Sequence, residues 1–219
     1  MQRLALFDLD GTLVDRQAAF TAWAKEFAEE RELGEGAVGW LCAADGRGRV
    51  SRERFFHDVR ERFGLDQPAL ELWGRFRERM PEFVRCDSGV LDGLAWLRAS
   101  GWLVGIVSNG MADIQLRKLE RTGLRDAVDG YCISGAVHIR KPDVRIFQLA
   151  AHRCGAGSVA GGWMVGDHPE HDILGGHAAG LRTIWVRQDG IWPSDVSAPH
   201  ADRVVSDITA AIGTLLHDS

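Results

Sequence analysis

Cysteine is scarce in this chain and nowhere paired. Cys42, Cys86, Cys132 and Cys154 are scattered through 219 residues without a Cys-x-x-Cys spacing. That excludes a disulfide framework or a thiolate zinc knuckle as the organising feature, and the four read as reduced packing thiols. An excess of basic charge is also missing, because 26 Lys and Arg face 31 Asp and Glu for a formal net charge of -5. A protein whose main task is gripping nucleic acid needs a basic face to displace counterions, so that class is set aside. A small anion gathered in a cleft by local cations such as Arg47, Arg49, Arg52, Arg54 and Lys141 is not. Long apolar runs are absent: nothing approaches the roughly 20 residues of a membrane span. The stretch Leu4 to Phe7, just after Met1-Gln2-Arg3, is too short for the apolar part of a signal peptide. The expected address is the cytoplasm, with no membrane and no nucleic-acid partner. With six prolines and 45% hydrophobic residues, the composition suits an ordinary globule with room for a core domain and an insert.

What is present is a sequence of short apolar runs ending in polar, glycine-containing turns. Leu4 to Phe7 opens into Asp8-Leu9-Asp10-Gly11-Thr12, and Leu103 to Val107 opens into Ser108-Asn109-Gly110. Both read as buried strands entering turns. Further strands are expected at Tyr131 to Ser134, Trp163 to Val165, Thr183 to Val186 and Arg203 to Val205. Helical spacing follows Ser108 through Met111, Ile114, Leu116 and Leu119. It recurs over Val144 to Arg153, with Pro142 where a helix start tolerates it, and over Asp172 to Ala179, closed by Gly180. Alternating strands and helices predict an α/β fold, a doubly wound, mostly parallel, Rossmann-like sheet whose ligand crevice lies beyond the carboxyl ends of the strands. Asp8, Ser108 and Asp167 fall at those ends, and Lys141 lies in the loop after the third strand.

The segment after the first strand differs in kind. Residues 16–81 are rich in charge and aromatics and carry helical periodicity. Ala19, Trp23, Phe27 and Ala28 share one face; Phe55, Val59, Arg62 and Phe63 share another; a further helix is expected over Pro68 to Arg79. A structureless loop of that size is improbable, so a small all-helical cap is expected over the crevice, inserted into a core formed by residues 1–15 and 82–219. Hinges are expected near Val14 to Gln17 and Pro81 to Cys86. The Gly-flanked basic loop carrying Arg47 and Arg49 is the candidate for substrate selectivity. Trp40 and Trp192 are candidates for lining an entrance, and the remaining tryptophans for packing.

Two carboxylates one residue apart at a strand mouth can divide labour, one attacking phosphorus while the other moves protons. Taken alone, an Asp-x-Asp pair reads first as a turn in which Asp8 and Asp10 cap backbone donors. The other segments weigh against that. Asp8-Leu9-Asp10-Gly11-Thr12, Ser108-Asn109, Lys141-Pro142 and Gly166-Asp167-His168-Pro169-Glu170-His171-Asp172 resemble, in order, the four motifs of the haloacid dehalogenase superfamily, specifically its phosphatase branch. The resemblance runs from Leu4 to about Val205.

It implies an aspartyl-phosphate enzyme with Asp8 as nucleophile and Asp10 as general acid and base. Magnesium would be held by Asp8, the Asp10 carbonyl and Asp167. Ser108, with Leu9, Gly11, Thr12, Asn109 and Lys141, would surround the phosphoryl group, and Lys141 would counter its charge. Asp172 is a candidate for the layer behind the metal or for a helix N-cap. His168 and His171 read as polar loop residues rather than metal ligands. The expected partner is a small phosphorylated metabolite, and the expected assembly a monomer or homodimer. The competing readings are a phosphomutase, a 2-haloacid dehalogenase, which needs no acid at the position of Asp10, and a non-catalytic phosphate-sensing module.

Overall fold

The computed structural model describes residues 3–187 and 201–218, so Trp192 lies outside the described residues. The chain divides into two compact units, Met1–Asp15 with Cys86–Ser219, and Arg16–Arg85. After β1 (Arg3–Phe7) it builds the second unit from α1 (Arg16–Glu30), α2 (Ala37–Asp45), α3 (Arg52–Phe63) and α4 (Ala69–Arg79). It then continues the first with α5 (Ser88–Ala99), β2 (Trp102–Ser108), α6 (Ala112–Thr122), α7 (Leu124–Ala127), β3 (Gly130–Ile133), α8 (Ser134–Val137), α9 (Val144–Arg153) and β4 (Trp163–Gly166). A helical turn Pro169–Leu174, α10 (Gly175–Ala178), β5 (Arg182–Val186), β6 (Arg203–Val205) and α11 (Ile208–His217) complete it.

The described strands form one sheet of order β3-β2-β1-β4-β5-β6, and every pair is parallel. β1 lies between β2 and β4, with Phe7 opposite Ile106 on one side and Val165 on the other. Its residues Leu4 to Phe7 are all buried, as a strand covered on both faces requires. Leu4 and Leu6 join Cys132, Phe147, Ala150 and Met164 in the core beneath α9, and alternation sends Ala5 and Phe7 to the opposite face. On that face α5 packs on α11. Gly93 makes the approach possible, since a Cβ there would stand 2.9 Å from Ile212 Cδ1. Parallel pairing places every strand's carboxyl end on one edge. The strand order reverses beside β1, which makes that edge at β1 the ligand-binding switch point of such sheets.

The helical unit is held by aromatic packing among Phe20, Trp23, Phe55, Phe56 and Phe76, with Trp23 edge-on to Phe76 at 4.7 Å. On α3 the buried face is Phe55, Phe56 and Val59, whereas Arg62 is exposed and Phe63 half-buried. The expected face was thus rotated, because an arginine in the last turn reaches solvent while Phe56 fills the aromatic core. Asp45 is fully buried and binds Arg16 through both oxygens, at 2.8 and 2.9 Å, and Arg52 at 2.7 Å. Burial pushes its carboxyl up, but the two guanidinium groups outweigh that and hold it below the usual range. Arg52 is therefore engaged inside this unit, and Arg54 pairs with Asp58 at the surface. Arg47 and Arg49 are exposed. Trp40 packs edge-on against Phe63 at 5.2 Å.

Candidate active site

The site begins where β1 stops. The Asp8 amide still donates to Val165 O at 2.9 Å, extending the ladder by one rung. The chain then closes a tight turn in which Leu9 O accepts from the Leu13 and Val14 amides at 3.0 and 3.1 Å. Gly11 donates to Val14 O at 2.9 Å and the Thr12 amide leans back on Leu9 O at 3.4 Å. Those two amides are drawn into the turn. What Gly11 permits is proximity: at φ +90°, a Cβ would stand 2.6 Å from Asp167 Oδ2. The Thr12 hydroxyl approaches Asp167 Oδ1 at 3.5 Å.

Behind this turn lies a buried charge cluster. Lys141, 2% exposed, places Nζ 2.5 Å from Asp8 Oδ1 and 2.6 Å from Asp172 Oδ1. Burial disfavours the Lys141 ammonium, yet Asp172 and Asp8 outweigh it and hold its pKa above that of an ordinary lysine. Burial is also the main force pushing the Asp8 carboxyl well above its usual range, with Asp172 and Asp167 adding to it and Lys141 opposing. The Asp167 carboxyl is pushed up to about 7, first by burial and then by Asp172. Asn109 fixes the Lys141 segment: its Nδ2 donates to Lys141 O at 3.1 Å and its Oδ1 accepts from Lys141 N at 2.9 Å. The Asn109 side chain thus aligns the lysine loop.

Asp10 is held separately. Lys118 Nζ lies 2.7 Å from both of its oxygens, and Gln115 Nε2 donates to Oδ2 at 2.9 Å and to Ser108 Oγ at 2.6 Å. The sequence reading missed Gln115 and Lys118. They stand three residues apart on α6 and so share a face, both buried, beside Ile114 and Leu119; Leu116 is only half-buried and Met111 exposed. Two long polar residues on the buried stripe of an amphipathic helix, just after Ser108-Asn109-Gly110, are the signal that could have found them.

Residues 5–186 match the family described as haloacid dehalogenase-like hydrolase. The chain belongs to that family. Phosphoserine phosphatase of Thermus thermophilus is 35% identical over 196 residues, covering 86% of this chain and 76% of the relative. Among solved structures, the magnesium-bound HAD-hydrolase YfnB of Bacillus subtilis superposes with a TM-score of 0.78 at 23% identity over 97% of this chain and 98% of the other. The 2-haloacid dehalogenase of Pseudomonas syringae does so with a TM-score of 0.66 at 28% identity over 100% of both.

In this haloacid dehalogenase-like hydrolase, Asp8, Asp167 and Asp172 bring carboxylate oxygens within 4.8 Å of one another. The donors are all hard oxygens, three carboxylates gathered around the single ammonium of Lys141, and burial first, with the neighbouring carboxylates adding to it, pushes the Asp8 and Asp167 carboxyls up. Such a set fits magnesium. Asp172 is completely buried and its Oδ2 also accepts from the His168 amide at 2.9 Å. It does not cap a helix start. It lies inside the turn Pro169–Leu174, which has wide, π-type hydrogen bonding and is capped by the His168 ring instead, so the helix expected from Asp172 begins only at Gly175. Gly180, at φ +85°, follows its end in the left-handed conformation. His168 and His171 stack at 3.9 Å, and burial, then His168, lowers the His171 pKa to about 4.

Proposed function

We propose that this hydrolase is a magnesium-dependent phosphatase of small phosphate monoesters that forms an aspartyl phosphate on Asp8, with Asp10 as general acid and base. The observation that carries the reading is the separate tethering of two carboxylates on one sheet edge. Asp8 is held by Lys141, and Asp10 by Lys118 and by the Gln115 amide that it shares with Ser108. Different surroundings let paired acids take different roles. A departing halide needs no proton, so Asp10 would be idle in a dehalogenase, whereas the alkoxide leaving a phosphate monoester needs one. The phosphoserine phosphatase relative supports the same side, and a shared fold with a dehalogenase does not by itself carry the reaction.

In this reading an Asp8 oxygen attacks phosphorus in line as the bond to the leaving oxygen breaks; that oxygen keeps the electron pair of the broken bond and takes a proton from Asp10, which enters the step as the carboxylic acid. Asp10 then accepts a proton from water, whose oxygen attacks phosphorus. The P–O bond to Asp8 breaks, returning the carboxylate and free phosphate. Lys141 offsets the like-charge approach of carboxylate and phosphoryl group, and the Ser108 hydroxyl holds a phosphoryl oxygen. Asp8, Asp167 and the Asp10 carbonyl would hold magnesium, which when bound supplies positive charge to the phosphoryl oxygens. Asp172 keeps Lys141 in place behind them. The test is rapid acid quench during turnover of an aryl phosphate, followed by peptide mass measurement. A phosphoryl increment on the Asp8 peptide, absent in Asp8→Asn and lost on chelation, is expected. Direct incorporation of solvent oxygen into phosphate with no such adduct would sink the proposal.

A further inference from the structure

Gln115 and Lys118 belong to none of the four sequence motifs, yet they organise two of the groups on which the proposed chemistry depends. Gln115 Nε2 faces Asp10 Oδ2 at 2.9 Å, and with Lys118 Nζ on both Asp10 oxygens this is the arrangement of the ionised carboxylate, the state left after Asp10 has given up its proton, which only accepts hydrogen bonds. In that state the facing atom is the amino nitrogen. The same nitrogen lies 2.6 Å from Ser108 Oγ, so it donates there too. A nitrogen that only donates cannot receive the Ser108 proton. The hydroxyl must aim its hydrogen elsewhere, which suits a group that has to donate to a phosphoryl oxygen. Lys118 completes the arrangement by touching both Asp10 oxygens at 2.7 Å from a side chain 5% exposed, which limits rotation of the carboxylate. Its own helix anchors it further, since Thr122 Oγ1 donates to Lys118 O at 2.6 Å.

We infer that Gln115 and Lys118 are positioning residues that lock Asp10 and the Ser108 hydroxyl into one rigid unit, so that proton delivery to the leaving oxygen and the grip on the phosphoryl group share a common geometry. Both act through Asp10 and Ser108. The inference rests on the proposed phosphatase reading and concerns only how Asp10 is aimed. Since misaiming a reacting group by about an ångström costs on the order of 10²-fold, a freed Asp10 should matter most where the leaving oxygen depends on its proton.

The experiment measures kcat/KM, which reports formation of the phosphoenzyme, for Lys118→Met on an alkyl phosphate and on 2,4-dinitrophenyl phosphate, whose leaving phenolate needs no proton. It repeats both in an Asp10→Asn background. The expected result is a loss of roughly 10–100-fold on the alkyl ester, at least about tenfold larger than on the aryl ester, and little further loss once Asp10 is already asparagine. Equal losses on the two esters, or multiplicative losses in the double variant, would overturn it. Should Lys118→Met not fold, as circular dichroism would reveal, Gln115→Met is read for the same split. It should also raise KM for both esters by releasing the Ser108 hydroxyl, and unchanged values in both respects would refute the proposal. A wild-type protein that forms the Asp8 adduct while the variants show no split would sink this inference alone. An absent adduct would sink the phosphatase reading instead.

Discussion

Replacing Lys141 by methionine keeps the apolar stem and removes only the ammonium, and the structure says what that exposes. Lys141 is 2% exposed, and the side chains it bridges, Asp8 and Asp172, are 10% and 1% exposed. Without the cation two carboxylates remain in a poorly solvated pocket with Asp167 beside them. Breaking a buried ion pair by removing one partner costs roughly 3–5 kcal/mol, a large share of the about 5–15 kcal/mol that holds a domain together. The deficit carries a pH signature. Burial is the main influence raising the Asp8 pKa, and Lys141 is the main one lowering it, so the variant raises it further. A carboxyl whose folded pKa exceeds its unfolded value, about 3.9, stabilises fully only below that value and loses the contribution as pH rises through the folded pKa. The gap between Lys141→Met and the wild type should accordingly be small near about pH 4 and widen towards neutrality. Urea titrations followed by tryptophan fluorescence, without magnesium, measure it as a shift in midpoint at constant slope. Turnover of an aryl phosphate should fall by roughly 10²–10³-fold, the usual worth of one fixed donor at developing charge. A neutral-pH deficit below about 1 kcal/mol, as for an exposed pair, or one that narrows as pH rises, would refute the reasoning.

At Gly11→Ala the new Cβ meets Asp167 Oδ2 at 2.6 Å on a backbone with φ +90°. The carboxylate has to move, and the magnesium concentration for half-maximal activity should rise roughly tenfold; an unchanged requirement would count against Asp167 as a ligand. In the metal-free protein, Asp167 with its pKa pushed to about 7 contributes stability below about pH 4 that is lost as pH rises through 7. Added magnesium should therefore raise the melting temperature more at pH 8 than at pH 5, and equal shifts at both would contradict the crowded-carboxylate account. Asp45→Ala strands Arg16 and Arg52 together and takes the acceptor from the Gly48 amide. It should cost the helical unit about 3–5 kcal/mol, seen by thermal unfolding, and a loss under about 1 kcal/mol would show that the pairs are solvated.

By itself the sequence determined the sheet and the position of its reactive edge. Short apolar runs such as Leu4 to Phe7 and Leu103 to Val107 end in polar turns because a strand buried on both faces cannot carry polar side chains until it leaves the core, and this pattern is local. The helix Val144–Arg153 was legible for the same reason, its period lying within a few turns. Tertiary structure alone decided which polar groups meet. The apolar stripe of α6 marks Gln115 and Lys118 as out of place, but their partner Asp10 lies in a turn more than a hundred positions away, and only the fold brings the two together. Asn109 shows the same limit, since its partner is the backbone of Lys141, and so does Asp172, whose place in a widened turn follows from the buried ammonium it must reach. Burial leaves a periodic trace along the chain because it is imposed residue by residue. A hydrogen bond between distant segments leaves none, because its energy depends on a distance that only the folded chain sets.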